Sequence, residues 1–321
     1  MHISLIFSNF MVKNKNKPQK NHMYNFCAKF RQILDICKCH SENIVNSLGN
    51  VPRVGVVPRF SDLEVTAMSL TAEALGLDSE NRLFHRLSQC KDDIPNLISR
   101  RQYNDRRKLT AGLCEEVRKR IVEDIDGGED CFIIDPKPIE ACRPACSKRC
   151  AMGRDDIDRA PTYGYCASQW RHYHGYKLHR LIGVSGVFHS YDITAANVHD
   201  VNHLDDVRLE HHDCGIIGDE GYVSAEVQPG LFETANIRLE TPSRSNQKNA
   251  RPFPAVFRKA RKCIETDFSQ LCDQFLLIRN YAKNVDGLFT RIIGKVSAFT
   301  VLQYINKINN KPIGHVKYAL F

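Results

Sequence analysis

The spacing of apolar positions changes character near residue 130. Before that point it follows a helical period. Ser61-Asp-Leu-Glu64 reads as a capping box, with Ser61 placed to accept from the first turn and Glu64 to reach back. Val65, Met68 and Leu75 then supply one apolar side before Gly76 ends the helix. Residues 79–90 form a second short helix candidate. Residues 96–125 form a third, which Gly127-Gly128 breaks.

From residue 131 the pattern is one of strands. The run CFIID (131–135) is short, apolar and closed by an acid, as a buried central strand would be. Residues 176–182 and 187–194 pair as an antiparallel hairpin through Gly183-Val-Ser-Gly186. A helix over 197–210 follows, then CGIIGDEGY (214–222), a second buried strand that also runs into an acid. A short helix at 223–233, a strand at 237–240 and a long helix at 255–278 complete the series. Strand, hairpin, helix, strand, helix, strand, helix describes an α/β mixed sheet with flanking helices, and its order matches the ribonuclease-H-like fold. An all-helical N-terminal region precedes it. The expected division is residues 1–58 as a basic extension, in part disordered, 59–126 as a helical DNA-binding region, and 127–321 as the catalytic domain.

Composition narrows the class. With 321 residues and 42% hydrophobic content the chain can fill a real core. The apolar opening is too short to span a membrane and its lysines follow it, so no export signal is read, and no membrane role. Met11 and Met23 offer later starts, so the first twenty or so residues read as an over-extension. Thirteen cysteines in such a chain point to reduced thiols in the cytoplasm, near the nucleoid if DNA is the substrate.

The net charge of +8 is a weak argument for DNA. Residues 1–60 hold nine Lys/Arg against two Asp/Glu, which leaves 36 against 35 elsewhere. Local clustering carries more. Residues 241–262 contain Arg244, Lys248, Arg251, Arg258, Lys259, Arg261 and Lys262 and no acid, whereas residues 192–240 hold eleven acids against Arg208 and Arg238. Arg100, Arg101, Arg106, Arg107 and Lys108 make a second basic patch at the front of the third helix candidate. Both patches are candidate DNA contacts.

Phosphoryl transfer needs two divalent cations about 4 Å apart and hard oxygen ligands to hold them. Asp135 and Asp219 close two apolar strands that the fold order sets side by side. A third carboxylate is available on the 255–278 helix: Ile264, Phe268, Leu271 and Phe275 form its sheet-facing stripe, and Glu265 lies beside that stripe. Arg261, four residues before Glu265, either holds a phosphate or pairs with it. Mg²⁺ is the expected ion, two per site, with Mn²⁺ as a substitute. Lys177 is a further candidate phosphate contact.

At these residues the chain resembles the DDE transposases of bacterial insertion sequences. The matching segments are Ile134-Asp135-Pro-Lys-Pro138, Gly175-Tyr-Lys-Leu-His179, Ile193-Thr-Ala-Ala-Asn-Val-His-Asp200, Gly218-Asp-Glu-Gly-Tyr222 and Arg261-Lys-Cys-Ile-Glu-Thr266. The resemblance implies a metal-binding triad of Asp135, Asp219 and Glu265, at spacings of 84 and 46 residues. It also implies double-stranded DNA as partner, in the form of terminal inverted repeats and a target, and a homodimer or larger assembly that cuts element ends and transfers them. The relatives' signature around the glutamate is Tyr, two residues, Arg, three residues, Glu, six residues, Lys; here Arg258 stands at the tyrosine position and Cys272 at the lysine position. The other readings are a DNA-binding derivative without catalysis, acting as repressor, and a nuclease of this fold that cuts without joining.

Two further signals stay outside that scheme. Cys142, Cys146 and Cys150 recur every fourth residue, with Cys166, His172 and His174 following, but the spacing is unlike the paired units of familiar zinc sites and assigns no metal. Trp170 and its neighbouring tyrosines could stack on a base, and core packing is the expectation for them.

Overall fold

The computed structural model describes residues 18–320, other than 90, 155, 244–251 and 280. Arg244, Lys248 and the first seventeen residues therefore lie outside the described residues. The elements are α1 (Pro18–Cys39), α2 (Asp62–Ala74), α3 (Glu80–Leu87), α4 (Arg100–Leu109), α5 (Ala111–Ile125), β1 (Cys131–Cys142), β2 (Thr162–Cys166), β3 (Arg171–Gly183), β4 (Phe188–Ala195), α6 (His203–Glu210), β5 (Gly215–Ile217), α7 (Val227–Ala235), β6 (Arg238–Glu240), α8 (Ala255–Asp273) and α9 (Val285–Ile308).

The sheet runs β2-β3-β1-β5-β6, with β4 also on β3. β1 and β3 are antiparallel; β5 runs parallel to β1 and β6 to β5. β2 and β4 follow one another along the same edge of β3, at residues 171–175 and 176–182. This is the α/β mixed sheet with flanking helices and a helical N-terminal region that the sequence predicts, in an order consistent with a ribonuclease-H-like fold. No described helix is long and apolar enough to cross a membrane.

Side-chain alternation assigns the two faces. Phe132 and Ile134 of β1 join Ile216, Leu204, Val207 and Leu231 in a core under α6 and α7. Ile133, Ile139 and Ile217 point the other way, into the larger core with Ile264 and Phe268 of α8 and Val296 and Phe299 of α9. Phe26, Phe30 and Ile33 of α1, Leu63 and Met68 of α2, and Val117 and Ile121 of α5 belong to that same larger core.

Several elements differ from the expectation. The segment expected as a basic extension provides α1, with Phe26, Ile33 and Cys37 buried, so the hydrophobic core runs across residues 58 and 126 without a break. The 96–125 helix is two helices. Thr110 breaks it: its hydroxyl turns back to the Arg106 carbonyl at 3.1 Å, and its backbone leaves the helical region at φ −94°, ψ 8°. The capping box at Ser61 and Glu64 is present as read.

β1 does not stop at Asp135 but continues to Cys142 through Pro136 and Pro138. β5 ends opposite Ile133, so beyond that point β1 is paired on the β3 side alone, where residues without an N–H are tolerated. α8 ends at Asp273, and Phe275 is buried just past it.

Candidate active site

Strand parity places the two aspartates. Asp135 shares a face with Ile133 and so faces α8. In the parallel β1–β5 ladder Ile133 pairs with Ile217, and two residues further on each chain stand Asp135 and Asp219. Asp219 follows the end of β5 and caps a short 3-10 turn, accepting from the Gly221 N–H at 2.8 Å. The glycine leaves room for both acids: a Cβ at residue 221 would lie 2.9 Å from Asp219 Oδ1 and 3.2 Å from Asp200 Oδ2, so a side chain there would push the carboxylates aside.

Burial and the neighbouring Asp219 push the Asp135 carboxyl up to about 7, against the opposing pull of Arg261, Arg180 and Lys137. Burial also raises Asp219, helped by Asp200 and Glu220 and opposed by the Gly221 N–H and by Arg261. Two carboxylates are thus held where their joint ionisation is unfavourable, which is the situation a divalent cation relieves.

Two unpartnered polar groups face the same place. The Tyr222 hydroxyl is fully buried with no partner among the described residues, and its proton is held by burial and by Asp200, Asp135 and Asp219. Arg261 reaches Asp135 Oδ1 at 4.0 Å and keeps a buried Nε without an acceptor among the described residues. Hard oxygens, a spare hydroxyl and a spare guanidinium N–H fit a divalent cation bearing water and phosphate.

Glu265 does not join the pair in the same way. It lies exposed on α8, one turn after Arg261, and the described residues include no hydrogen bond or ion pair for it. The three carboxylates are not among the clusters whose ligand atoms all approach within 4.8 Å. The remaining candidates are placed as follows. Arg258, Lys259 and Lys262 are exposed on α8, and Arg100 and Arg101 are exposed at the start of α4. Arg100, Arg107 and Lys108 line one cleft with Lys283 and Arg291, alongside Asp78 and Glu80. Arg107 also packs on the Tyr103 ring. Arg106 binds Asp62 at 2.7 Å, a buried carboxylate that Arg53 also holds, and Lys177 binds Asp200 at 2.7 Å and the Val198 carbonyl at 2.8 Å.

Four residues absent from the sequence-derived site belong to it. Asp200 lies against Asp219 and Gly221. Tyr222 lies beneath the acids. Lys137 stands over the Phe268 ring at 5.4 Å and acts on both Asp135 and Cys272. Arg180, directly opposite Asp135 in the β1–β3 register and wholly buried, donates to the Ile264 carbonyl at 2.6 Å and stacks on Phe268 at 3.7 Å. The available signal for Arg180 was a charge inside the predicted strand 176–182, beside Leu178, Leu181 and Ile182.

No curated protein matches the chain. A family model described as a transposase DDE domain matches residues 126–301, more than half of the chain, and spans the strands and the helix that carry these carboxylates. The chain belongs to the DDE transposases.

Proposed function

We propose that the chain cuts double-stranded DNA at the ends of an insertion sequence and joins the freed ends to target DNA, with Asp135, Asp219 and Glu265 as catalytic carboxylates. The observation that carries this reading is the convergence of Asp135 and Asp219 from adjacent strands, under Arg261, in a chain of the transposase family. In the first step water attacks the phosphodiester and leaves a 3′ hydroxyl; in the second that hydroxyl attacks a target phosphodiester, displacing another 3′ oxygen. Two Mg²⁺ ions, replaceable by Mn²⁺, would activate the attacking oxygen and neutralise the leaving one.

The chain's own groups supply the rest. Asp135 offers its oxygens from within β1 and Asp219 from just past the end of β5, where the Gly221 N–H fixes the Asp219 rotamer. Arg261 offers its free N–H to a non-bridging phosphate oxygen. Arg258, Lys259 and Lys262, exposed along α8, and Arg100 and Arg101, exposed on α4, would contact the DNA backbone, which would make binding steeply salt-dependent. Assembly as a homodimer or larger complex on paired ends accompanies this reading.

Incubating the protein with a labelled terminal repeat, a target plasmid and Mg²⁺ tests it. Joined product is the expected result. Cleavage without joining would replace the transposase by a nuclease, and binding alone would replace it by a repressor.

Glu265 has its own test. Because the side chain is exposed, Glu265→Gln leaves the melting temperature within about 1 °C of wild type. Cleavage should fall by roughly a hundredfold or more. Wild-type cleavage by this variant would move the third ligand elsewhere, and Asp200 is the acid already beside Asp219.

A further inference from the structure

Thiol and imidazole groups that the catalytic reading leaves unused meet at the far end of β1. Cys142 is the last residue of that strand and pairs with His174 of β3. The register slips between Glu140 and Cys142. Gly175 lies across the slip, where a Cβ would stand 2.1 Å from the Ile139 carbonyl oxygen, so only glycine allows this approach. Such a bulge re-aims the side chain beside it. Here the Cys142 Sγ comes to 3.5 Å from His174 Nδ1.

The chain then winds through a 3-10 turn over Pro144–Arg149 and returns Cys150 to the same spot. The two sulfurs and a ring nitrogen of His174 all lie within 4.8 Å of one another. The four-residue recurrence that matched no zinc spacing as sequence is thus closed by a turn and completed from a different strand.

We propose that Cys142, Cys150 and His174 hold a structural zinc ion, with Cys146 of the same turn as the fourth ligand. Tetrahedral zinc with bonds of about 2.3 Å separates its ligand atoms by roughly 3.8 Å, so the site closes with a small contraction. Cys146 lies near enough to act on the Cys142 thiol. The His174 ring is oriented by a hydrogen bond with the Pro161 backbone and by the edge-on Tyr163 ring at 5.0 Å, as a ligand imidazole usually is by its surroundings.

The zinc would answer a local need. Among the described residues of 143–161, Met152 alone is buried and the regular structure amounts to two 3-10 turns. A segment with so little core gains its order from a staple. The site is separate from the catalytic one: Cys142 lies seven residue steps along the strand from Asp135, about 23 Å. Its thiolates suit zinc, whereas the carboxylates suit Mg²⁺.

The test is metal analysis of the full chain purified under reducing conditions without chelator. About one zinc per chain is expected, released by a thiol-blocking mercurial. The Cys142→Ser/Cys150→Ser double variant should lose it, and Cys39→Ser, at an exposed thiol outside the cluster, should keep it. Since loss of zinc and loss of fold could coincide in the double variant, two readouts stand apart from it. Cobalt exchanged into the wild type should give intense tetrahedral bands with thiolate charge transfer, and His174→Cys should retain metal where His174→Phe loses it. Wild type free of zinc, zinc kept by the double variant, a cobalt spectrum without thiolate bands, or a Cys142–Cys150 disulfide would each overturn the proposal.

Discussion

Asp135→Asn is expected to abolish DNA cleavage and, in the absence of metal, to make the protein more resistant to heat. The two effects share one cause. Asp135 faces Asp219 in a partly desolvated position, and its carboxyl titrates at about 7 instead of the ordinary 3.8. A pKa raised on folding means that the folded state binds the proton more tightly than the unfolded chain does. The contribution of this group is therefore most favourable below about pH 4, declines as pH rises to about 7, and stays at its lowest above that.

Asparagine removes the penalty. In EDTA the variant should match wild type at pH 4 and exceed it at pH 8. Three pKa units set a ceiling of about 4 kcal/mol. Solvent reaches a quarter of the side chain, which lowers the expectation to about 1–3 kcal/mol, or roughly 2–6 °C. Cleavage in Mg²⁺ should fall on the order of a thousandfold. Thermal melts at the two pH values and a cleavage assay check both halves. A destabilised Asp135→Asn protein at pH 8 would mean that the carboxylate serves the fold and not a metal.

The second large effect belongs to Arg180, which sits under the site without touching substrate. Its Nη2 grips the Ile264 carbonyl of α8, its plane lies on Phe268, and its Nε and Nη1 have no hydrogen-bond partner among the described residues. Burial lowers it to about 10, opposed by Asp267 and Asp135. Asp267 is itself buried on α8 and pushed up to about 7, with Arg180 the one charge that counters the burial. The arginine thus ties the helix carrying Arg261 and Glu265 to the strand facing Asp135. Arg180→Met keeps most of the volume and removes the countercharge, and should cost about 3–5 kcal/mol in denaturant unfolding. Adding Asp267→Leu should recover most of that loss, because an apolar pair of similar size replaces the ionic one. If the double variant is as unstable as the sum of the singles, Arg180 and Asp267 do not act on each other as described.

The two aspartates were legible because strand parity and a fold order suffice to bring them together. The extension of β1 past Asp135 was not, since Pro136 and Pro138 look like strand breakers until the open β5 side is known. α1 was obscured by the basic residues around it, and α9, buried along most of its length, has no single apolar stripe to detect. Asp200 and Tyr222 reach the site through tertiary packing, for which a single sequence offers no local signal. Trp170 reversed the expectation: it is 86% exposed, with a left-handed backbone at φ 51° after a 3-10 turn, not part of the core. The basic patches divided in a similar way. Arg106 is engaged with Asp62 and Lys177 with Asp200, while the α8 residues remain open to solvent.

Cleavage of a labelled element end by Asp219→Cys, in Mg²⁺ and in Mn²⁺, tests whether Asp219 and its neighbours hold a divalent metal for phosphodiester cleavage. A thiolate is a poor ligand for Mg²⁺ and a better one for Mn²⁺, so no cleavage is expected in Mg²⁺ and partial recovery in Mn²⁺. Cleavage by Asp219→Cys in Mg²⁺ at the wild-type rate would rule out Asp219 as a metal ligand.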